Sequence, residues 1–291
     1  MEFTEVAAGY SFLEAPRADG GAVWFADLLL GGLHRLSPGG KVETFLADHK
    51  HIGGVALNAD GAVICGGQSG LVWLDPQTGR SGVLLDAIGG ERLAGVNDMY
   101  PDGKGGLYFG TLSRAGDYGQ PPTPTELCHV DAEGRGRKLQ EGLRFANGVG
   151  LSPDGRRLYH TESLAGVFVY EVQPDGGLAG KTRFAGQEDG DGLAVDAEGC
   201  VWVAGFASGA LVRYRPDGAV DRRIPVPHKV VTSLCFGGAD GRDLYVTTGG
   251  DEGVERMLKG EPPPREASLF RARVETPGLP VPRTRFRVPA G

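Results

Sequence analysis

The chain has 291 residues, 40% of them apolar, and sets 30 Lys and Arg against 37 Asp and Glu for a formal net charge of −7. That balance argues against a nucleic-acid surface, which needs a basic patch, and no apolar run approaches the roughly 20 residues that span a bilayer. The 50 glycines and 19 prolines would mark disorder if scattered, but they recur at intervals.

From the N-terminus, Phe3–Ala8 reads as a lone strand. A turn-plus-strand unit follows at Ala15–Asp27, then a hairpin at Leu33–Phe45. The pair recurs as Leu57–Gly67 with Leu71–Leu85, Tyr100–Thr111 with Leu127–Leu143, and Leu151–Ser163 with Val167–Phe184. It recurs again as Val195–Phe206 with Ala210–Val226 and as Phe236–Gly249 with Ser268–Phe286. Each turn carries an acidic residue: Asp19, Asp60, Asp102, Asp154, Glu198 and Asp240, spaced 41, 42, 52, 44 and 42 residues apart. Such a period is the signature of a β-propeller with one sheet per blade. The expected fold is therefore all-β: a six-bladed β-propeller with four-stranded antiparallel blades around a central channel. Residues 1–291 read as a single domain, because no blade buries its faces without its neighbours. Phe3–Ala8 is expected to pair with the last blade and close the ring, hiding open sheet edges.

Asp251–Lys259 reads as a short helical insertion in the last blade. Arg114–Thr125, stiffened by two prolines, reads as a loop shaping a pocket rim. Cys65, Cys128, Cys200 and Cys235 lack metal-ligand spacing and read as small hydrophobes. The alternating Arg283–Arg287 reads as a solvated strand face. The start MEFTEVAAGYSF has no basic residue followed by an apolar stretch, so no secretion signal is expected and the expected location is cytoplasmic.

Superposing the repeats singles out one position per blade. Seven residues before the acidic turn residue stand Gly53, Asn147, Asp191 and Ser233; five before it stand Glu14 and Asn97. The difference of two keeps the side chain on the same strand face. In a propeller these points converge at one mouth of the channel. Two carboxylates facing each other there repel, and burying them is costly. A divalent cation balances Glu14 and Asp191, with Asn147 and Asn97 adding neutral oxygens. An all-oxygen donor set is hard. It fits one divalent ion, calcium first, then manganese or magnesium, with zinc or ferrous iron as alternatives.

With these residues in place, the chain resembles the gluconolactonase/regucalcin (senescence marker protein) family of six-bladed propellers, with diisopropylfluorophosphatase-like enzymes as more distant kin. The resemblance rests on Phe12–Pro16 (FLEAP), Asn97–Asp98 ahead of Leu107–Thr111 (LYFGT), Phe145–Asp154 (FANGVGLSPD), Asp191–Ala204 (DGLAVDAEGCVWVA) and Thr232–Thr247 (TSLCFGGADGRDLYVT). It implies that Glu14, Asn147 and Asp191 hold a divalent metal and that Asn97 lies at the metal or contacts substrate. Two features depart from the sugar-lactone pattern. Gly95 stands where an arginine is common, and Thr111 leads into Leu112, Ser113 and Arg114 rather than an acidic pair. These departures leave room for a less polar lactone or ester.

The expected function is metal-dependent hydrolysis of a lactone or related ester. The cation polarises the carbonyl, Asp191 acts as general base and Asn97 assists as a catalytic residue. His51, Arg114 and His228 are candidate pocket residues, while His34, His129 and His160 read as hydrogen-bonded structural groups. No GxSxG elbow is present. The expected partner is a small-molecule lactone or ester, with neither nucleic acid nor membrane. The alternatives are phosphotriester hydrolysis with the same metal site and a non-catalytic, ligand-sensing propeller.

Overall fold

The computed structural model describes every residue except 114–122, 253, 254, 257, 258, 260, 262, 263, 290 and 291. Six four-stranded antiparallel sheets form the blades of a ring. Their innermost strands are Leu13–Asp19, Val55–Leu57, Val96–Pro101, Ala146–Leu151, Gly190–Val195 and Val231–Gly237, here called the inner strands of blades I to VI. The acidic-Gly turns sit where the repeat put them. Asp60, Asp154 and Asp240 each accept the backbone N–H two residues on, at 3.0, 3.1 and 3.1 Å. A side chain that mimics a backbone turn in this way explains the acidic residue before glycine.

No blade has a core of its own. Along the second strand of blade I, Trp24 and Ala26 pack with Val55, Val63 and Leu74 of blade II. Val23 and Phe25 face the other way, against Cys235, Tyr245 and Leu269 of blade VI. The same alternation builds four more clusters between successive blades. Period-two patterning sends every second side chain to each neighbour, so the core is a set of wedges between blades. Cys65, Cys128 and Cys235 are fully or almost fully buried in these wedges, and burial pushes each thiol up to about 12.

The outermost strand of blade VI is Thr4–Tyr10, paired antiparallel with Ala267–Arg273. The expected closure by the N-terminus therefore holds. One expectation changes with it. The repeat predicts a hairpin at Ser268–Phe286, but within it only Ala267–Arg273 forms a strand, because the N-terminal strand takes the outer place. The chain beyond it crosses one end of the channel instead. Leu279 N–H donates to Val195 C=O at 3.0 Å on blade V, and Arg285 N–H to Gly105 C=O at 2.8 Å on blade III. Buried Asn58 of blade II latches this segment. Its Nδ2 donates to Phe286 C=O at 2.9 Å, and its Oδ1 accepts Thr284 Oγ1–H at 2.8 Å and Phe286 N–H at 2.9 Å. Within Asp251–Lys259 the described residues form a helical turn, with Arg256 N–H donating to Glu252 C=O at 3.1 Å.

The histidines on strands divide. His34 Nδ1 bonds Thr44 Oγ1 at 2.9 Å, and His129 Nε2 bonds Asp102 Oδ2 at 2.9 Å, as a structural role requires. His160 differs: it is fully buried and neither ring nitrogen has a partner among the described residues. Burial lowers its pKa from 6.5 to about 3. Its folded-state value lies below the unfolded one, so the unfolded chain binds the extra proton between pH 6.5 and 3. Stability falls as pH drops through that window. His160→Leu is expected to remove on the order of 4 kcal/mol of this acid sensitivity. Urea melts at pH 7, 5 and 4 check it, and an unchanged pH slope would contradict the assignment.

Candidate functional site

The six superposed positions lie at the end of the channel opposite the C-terminal segment. Glu14, Asn97, Asn147 and Asp191 are all buried there. Their side chains reach the axis by a shared device. In blades I, III, IV and V the ladder between inner and second strand breaks between Glu14 and Arg17, Val96 and Met99, Ala146 and Val149, and Gly190 and Leu193. Each break starts at or immediately before the superposed residue. A bulge bends the strand and re-aims a side chain, which here points one polar group per blade at the axis. Ala15, next to Glu14, holds a left-handed φ of +56°. This is a strained conformation of the kind that clusters at functional sites.

The glycines beside these residues are not turn residues. Gly148 and Gly192 lie inside strands. A Cβ on Gly148 would stand 2.5 Å from Leu193 N, and one on Gly192 would stand 2.1 Å from Ser233 Oγ. They are needed because neighbouring inner strands approach closely at the axis. Gly53 has a related reason: its Cβ would sit 2.0 Å from Asn97 Oδ1. Blade II gives up its side chain so that the amide of blade III can occupy the space.

The hydrogen bonds fix both amides. Asn97 Nδ2 donates to Ala146 C=O at 3.0 Å and to Asn147 Oδ1 at 2.5 Å, so both its hydrogens are spent on blade IV. Its oxygen therefore faces Gly53. Asn147 Nδ2 donates to Ser163 Oγ at 2.8 Å, and Ser163 Oγ–H donates to Gly190 C=O at 2.5 Å. This chain turns the Asn147 oxygen inward.

The carboxylates are in electrostatic conflict. Burial pushes Glu14 well above the usual carboxylate range, the charges of Asp191 and Asp98 add to the shift, and the Ala15 N–H at 3.3 Å opposes it. Burial raises Asp191 as well, followed by the charges of Asp98 and Asp189, with the Gly192 N–H opposing. Asp98 is a third member of the cluster that the repeat did not single out. Burial raises it to about 7, against the opposing charge of Arg17. Repulsion among buried acids is what a divalent cation relieves. The oxygen-only donors Glu14, Asp191 and Asn147 fit such an ion.

The pocket candidates separate. His51 is buried with φ +61°, and its N–H donates to Leu28 C=O at 2.8 Å. It precedes Gly53 by two residues. Its pKa is lowered by burial, then by Lys50 and His49. His228 is not brought to the cluster. Its Nδ1 faces Asp251 Oδ1 at 3.3 Å and its ring lies 5.4 Å from that of Phe270, on the third strand of blade VI. Arg114 lies outside the described residues, as does most of the Arg114–Thr125 loop. At Gly95 a side chain would meet Leu112 Cδ1 at 2.7 Å, on a backbone with φ +131°, so an arginine here would be strained and would have to displace the Leu112 side chain.

A second acidic group, Asp196, Glu198 and Cys200, has ligating atoms within 4.8 Å of one another. Arg213 already fills it. The Arg213 Nη2 lies 2.7 Å from Asp196 Oδ2 and 2.6 Å from Glu198 Oε2. Asp196 also accepts the Trp202 Nε1–H at 2.8 Å and the Cys200 N–H at 3.0 Å. Asp196 thus has a cationic partner without an ion, one it shares with Glu198 and Asp221.

Gly53→Ala is expected to cost about 1–3 kcal/mol by overpacking against Asn97. Asn97→Ala in the same chain is expected to recover part of that loss. Thermal denaturation of the two single variants and the double variant reads the coupling, and additive effects would show that Asn97 does not fill the space.

Known proteins were compared with the chain. The profile of the family described as "SMP-30/Gluconolactonase/LRE-like region" matches residues 12–250. A 6-deoxy-6-sulfogluconolactonase of Pseudomonas putida is 32% identical over 267 residues, covering 89% of each chain. A pentonolactonase of Haloferax volcanii is 30% identical over 283 residues, covering 91% of each. Among solved structures, a calcium-binding protein, regucalcin, from Agrobacterium tumefaciens superposes with a TM-score of 0.82 at 24% identity, over 97% of each chain.

Proposed function

The chain belongs to the SMP-30/gluconolactonase/LRE-like family, and from that premise we propose that it is a metal-dependent hydrolase of a sugar lactone or a less polar relative. The reaction class rests on the two lactonases that match nine-tenths of the chain. The metal dependence is supported by one observation: inner strands bulge beside the buried Glu14, Asn147 and Asp191, and the charge of Asp191 adds to the raised pKa of Glu14, a repulsion that an ion would balance.

Glu14, Asn147 and Asp191 would hold the ion, which supplies Lewis-acid polarisation of the lactone carbonyl. Asp191 accepts the proton of the attacking water through a carboxylate oxygen. It returns that proton to the ring oxygen as the acyl C–O bond breaks, so one lactone and one water give one hydroxy acid. Asn97 has no N–H left to offer. Its oxygen is an acceptor, suited to a substrate hydroxyl or to a further bond to the ion. Asn147 is held by Ser163, so neither amide needs to reorient during the reaction.

The identity of the lactone is narrowed at the rim. Gly95 and Leu112 pack where a cationic contact to a polar substrate would otherwise stand. This supports a substrate with fewer charged or hydroxyl groups near blade III.

Asp191→Asn is expected to lower kcat by roughly 10²–10⁴-fold while the fold is kept. Chelator treatment is expected to abolish turnover, with calcium or manganese restoring it. A panel of aldonolactones, alkyl lactones, aryl esters and phosphotriesters reads both effects. Turnover that ignores the chelator would remove the metal from the mechanism. No turnover across the panel would favour a ligand-sensing propeller.

A further inference from the structure

We propose that an apolar collar at the channel mouth seats a hydrocarbon substituent of the substrate, so that the lactone hydrolysed bears an alkyl or aryl group rather than a row of hydroxyls. The inference rests on the lactonase reading above and names the substrate class for that site. In blades I, III, IV, V and VI the residue just past the second strand donates its N–H to the C=O of the residue just ahead of the inner strand. The pairs are Leu28 to Phe12 at 2.8 Å, Leu112 to Gly95 at 3.2 Å, Ser163 to Phe145 at 2.9 Å, Phe206 to Asp189 at 2.8 Å and Gly249 to Val230 at 3.0 Å. The acceptors of blades I, III, IV and V stand two residues ahead of Glu14, Asn97, Asn147 and Asp191. One further rung therefore lies beyond the four polar positions, about 7 Å along the strands. It is apolar where the rung of Glu14 is polar: Phe12 and Leu28 supply it in blade I, Leu112 in III, Phe145 in IV, Phe206 in V and Val230 in VI. Its polar members are engaged within the protein. Ser163 Oγ accepts from Asn147 Nδ2 and donates to Gly190 C=O, and Asp189 Oδ2 accepts the Ser208 N–H at 2.9 Å.

Across blades V, VI and I the collar is continuous. Phe12, Leu28 and Val230 pack together with Leu29 and Phe206, and the Phe12 and Phe206 rings meet with centroids 6.2 Å apart. Phe12 belongs to blade I and Phe206 to blade V, so the pair spans blade VI. Blade VI makes room for it: a Cβ on Gly249 would stand 2.7 Å from Phe12 Cε2 and 2.8 Å from Val230 Cγ1. Phe12, Leu28 and Val230 are buried, whereas Phe206 and Leu29 keep part of their surface accessible. An accessible aromatic face on buried apolar support binds hydrocarbon by removing its area from water, and it offers a sugar hydroxyl no hydrogen-bond partner. A lactone whose carbonyl reaches Glu14 and Asp191 leaves its ring substituent at the level of this rung. Phe206 is therefore a specificity-determining residue that acts on the non-reacting end of the substrate.

Steady-state hydrolysis by the full chain, supplied with calcium or manganese, tests this on γ-butyrolactone, γ-hexalactone and γ-octalactone beside glucono-δ-lactone. A fully buried methylene is worth about fourfold in affinity. kcat/KM is expected to rise at least fourfold from γ-butyrolactone to γ-hexalactone and again to γ-octalactone, chiefly through KM, and γ-octalactone is expected to exceed glucono-δ-lactone at least tenfold. Phe206→Ala is expected to lower the ratio of kcat/KM for γ-octalactone over γ-butyrolactone at least fivefold, and Phe206→Leu to hold that ratio within twofold of wild type. A wild-type ratio near one, or a preference for glucono-δ-lactone over γ-octalactone, would overturn the proposal and leave the lactonase reading intact. An equal loss on every lactone in Phe206→Ala, with a lower Tm, would overturn it too, because the ring pair would then be structural support alone. Turnover of none of the four lactones would remove the lactonase reading and this inference with it. Should Phe206→Ala fail to fold, the wild-type series decides.

Discussion

Three acids share one buried mouth, and the arrangement of the surrounding chain can be understood as what their mutual repulsion requires. Burial raises the pKa values of Glu14, Asp98 and Asp191; the charge of Asp98 adds to the shifts at Glu14 and Asp191, that of Asp191 adds to the shift at Glu14, and Arg17 opposes the shift at Asp98. A soft or polar interior would let such groups turn away. Here they cannot, because bulged inner strands aim them and tight glycine contacts at Gly53, Gly148 and Gly192 leave no room to retreat. That rigidity keeps the repulsion in place instead of letting the acids turn aside.

That rigidity comes from the wedges between blades rather than from any blade alone. Each inner strand is gripped on both sides by apolar clusters that belong half to its neighbour. A displacement at Glu14 therefore has to move side chains of blades II and VI together. Close packing transmits such strain instead of absorbing it. At the other end, Asn58 and the segment it latches cap the channel.

Much of this was legible in the sequence for a physical reason. A repeat that builds identical blades places equivalent residues at equivalent heights, so register alone collected Glu14, Asn97, Asn147 and Asp191. The bulges were not visible, since nothing in the residue types announces an extra residue in a ladder. Asn-Gly and Asp-Gly commonly mark turns, but the glycines of Asn147–Gly148 and Asp191–Gly192 answer to strand crowding instead. Asp98 was missed because it stands one residue off the superposed position, where strand alternation would send it the other way; the bulge between Val96 and Met99 changes its direction. Arg17 sits in no repeat class, and it bonds to carbonyls of two other blades. His160 carried no sign that its nitrogens would go without partners. The signal that could have found Asp98 and Arg17 is charge counting within the family segments: an acid beside Asn97 and a base just past Glu14.

Blade VI is assembled from the two ends of the chain, Thr4–Tyr10 and Ala267–Arg273. Bringing positions so far apart together costs about 5 kcal/mol of chain entropy on its own. During synthesis the first strand emerges from the ribosome long before its partner exists. For that interval its backbone amides are an open template for any extended segment nearby, and the ring cannot lock until the chain has been made as far as Arg273. A chaperone that shields the amino-terminal dozen residues would thus protect the nascent protein at its most vulnerable stage, well before a catalytic centre has formed.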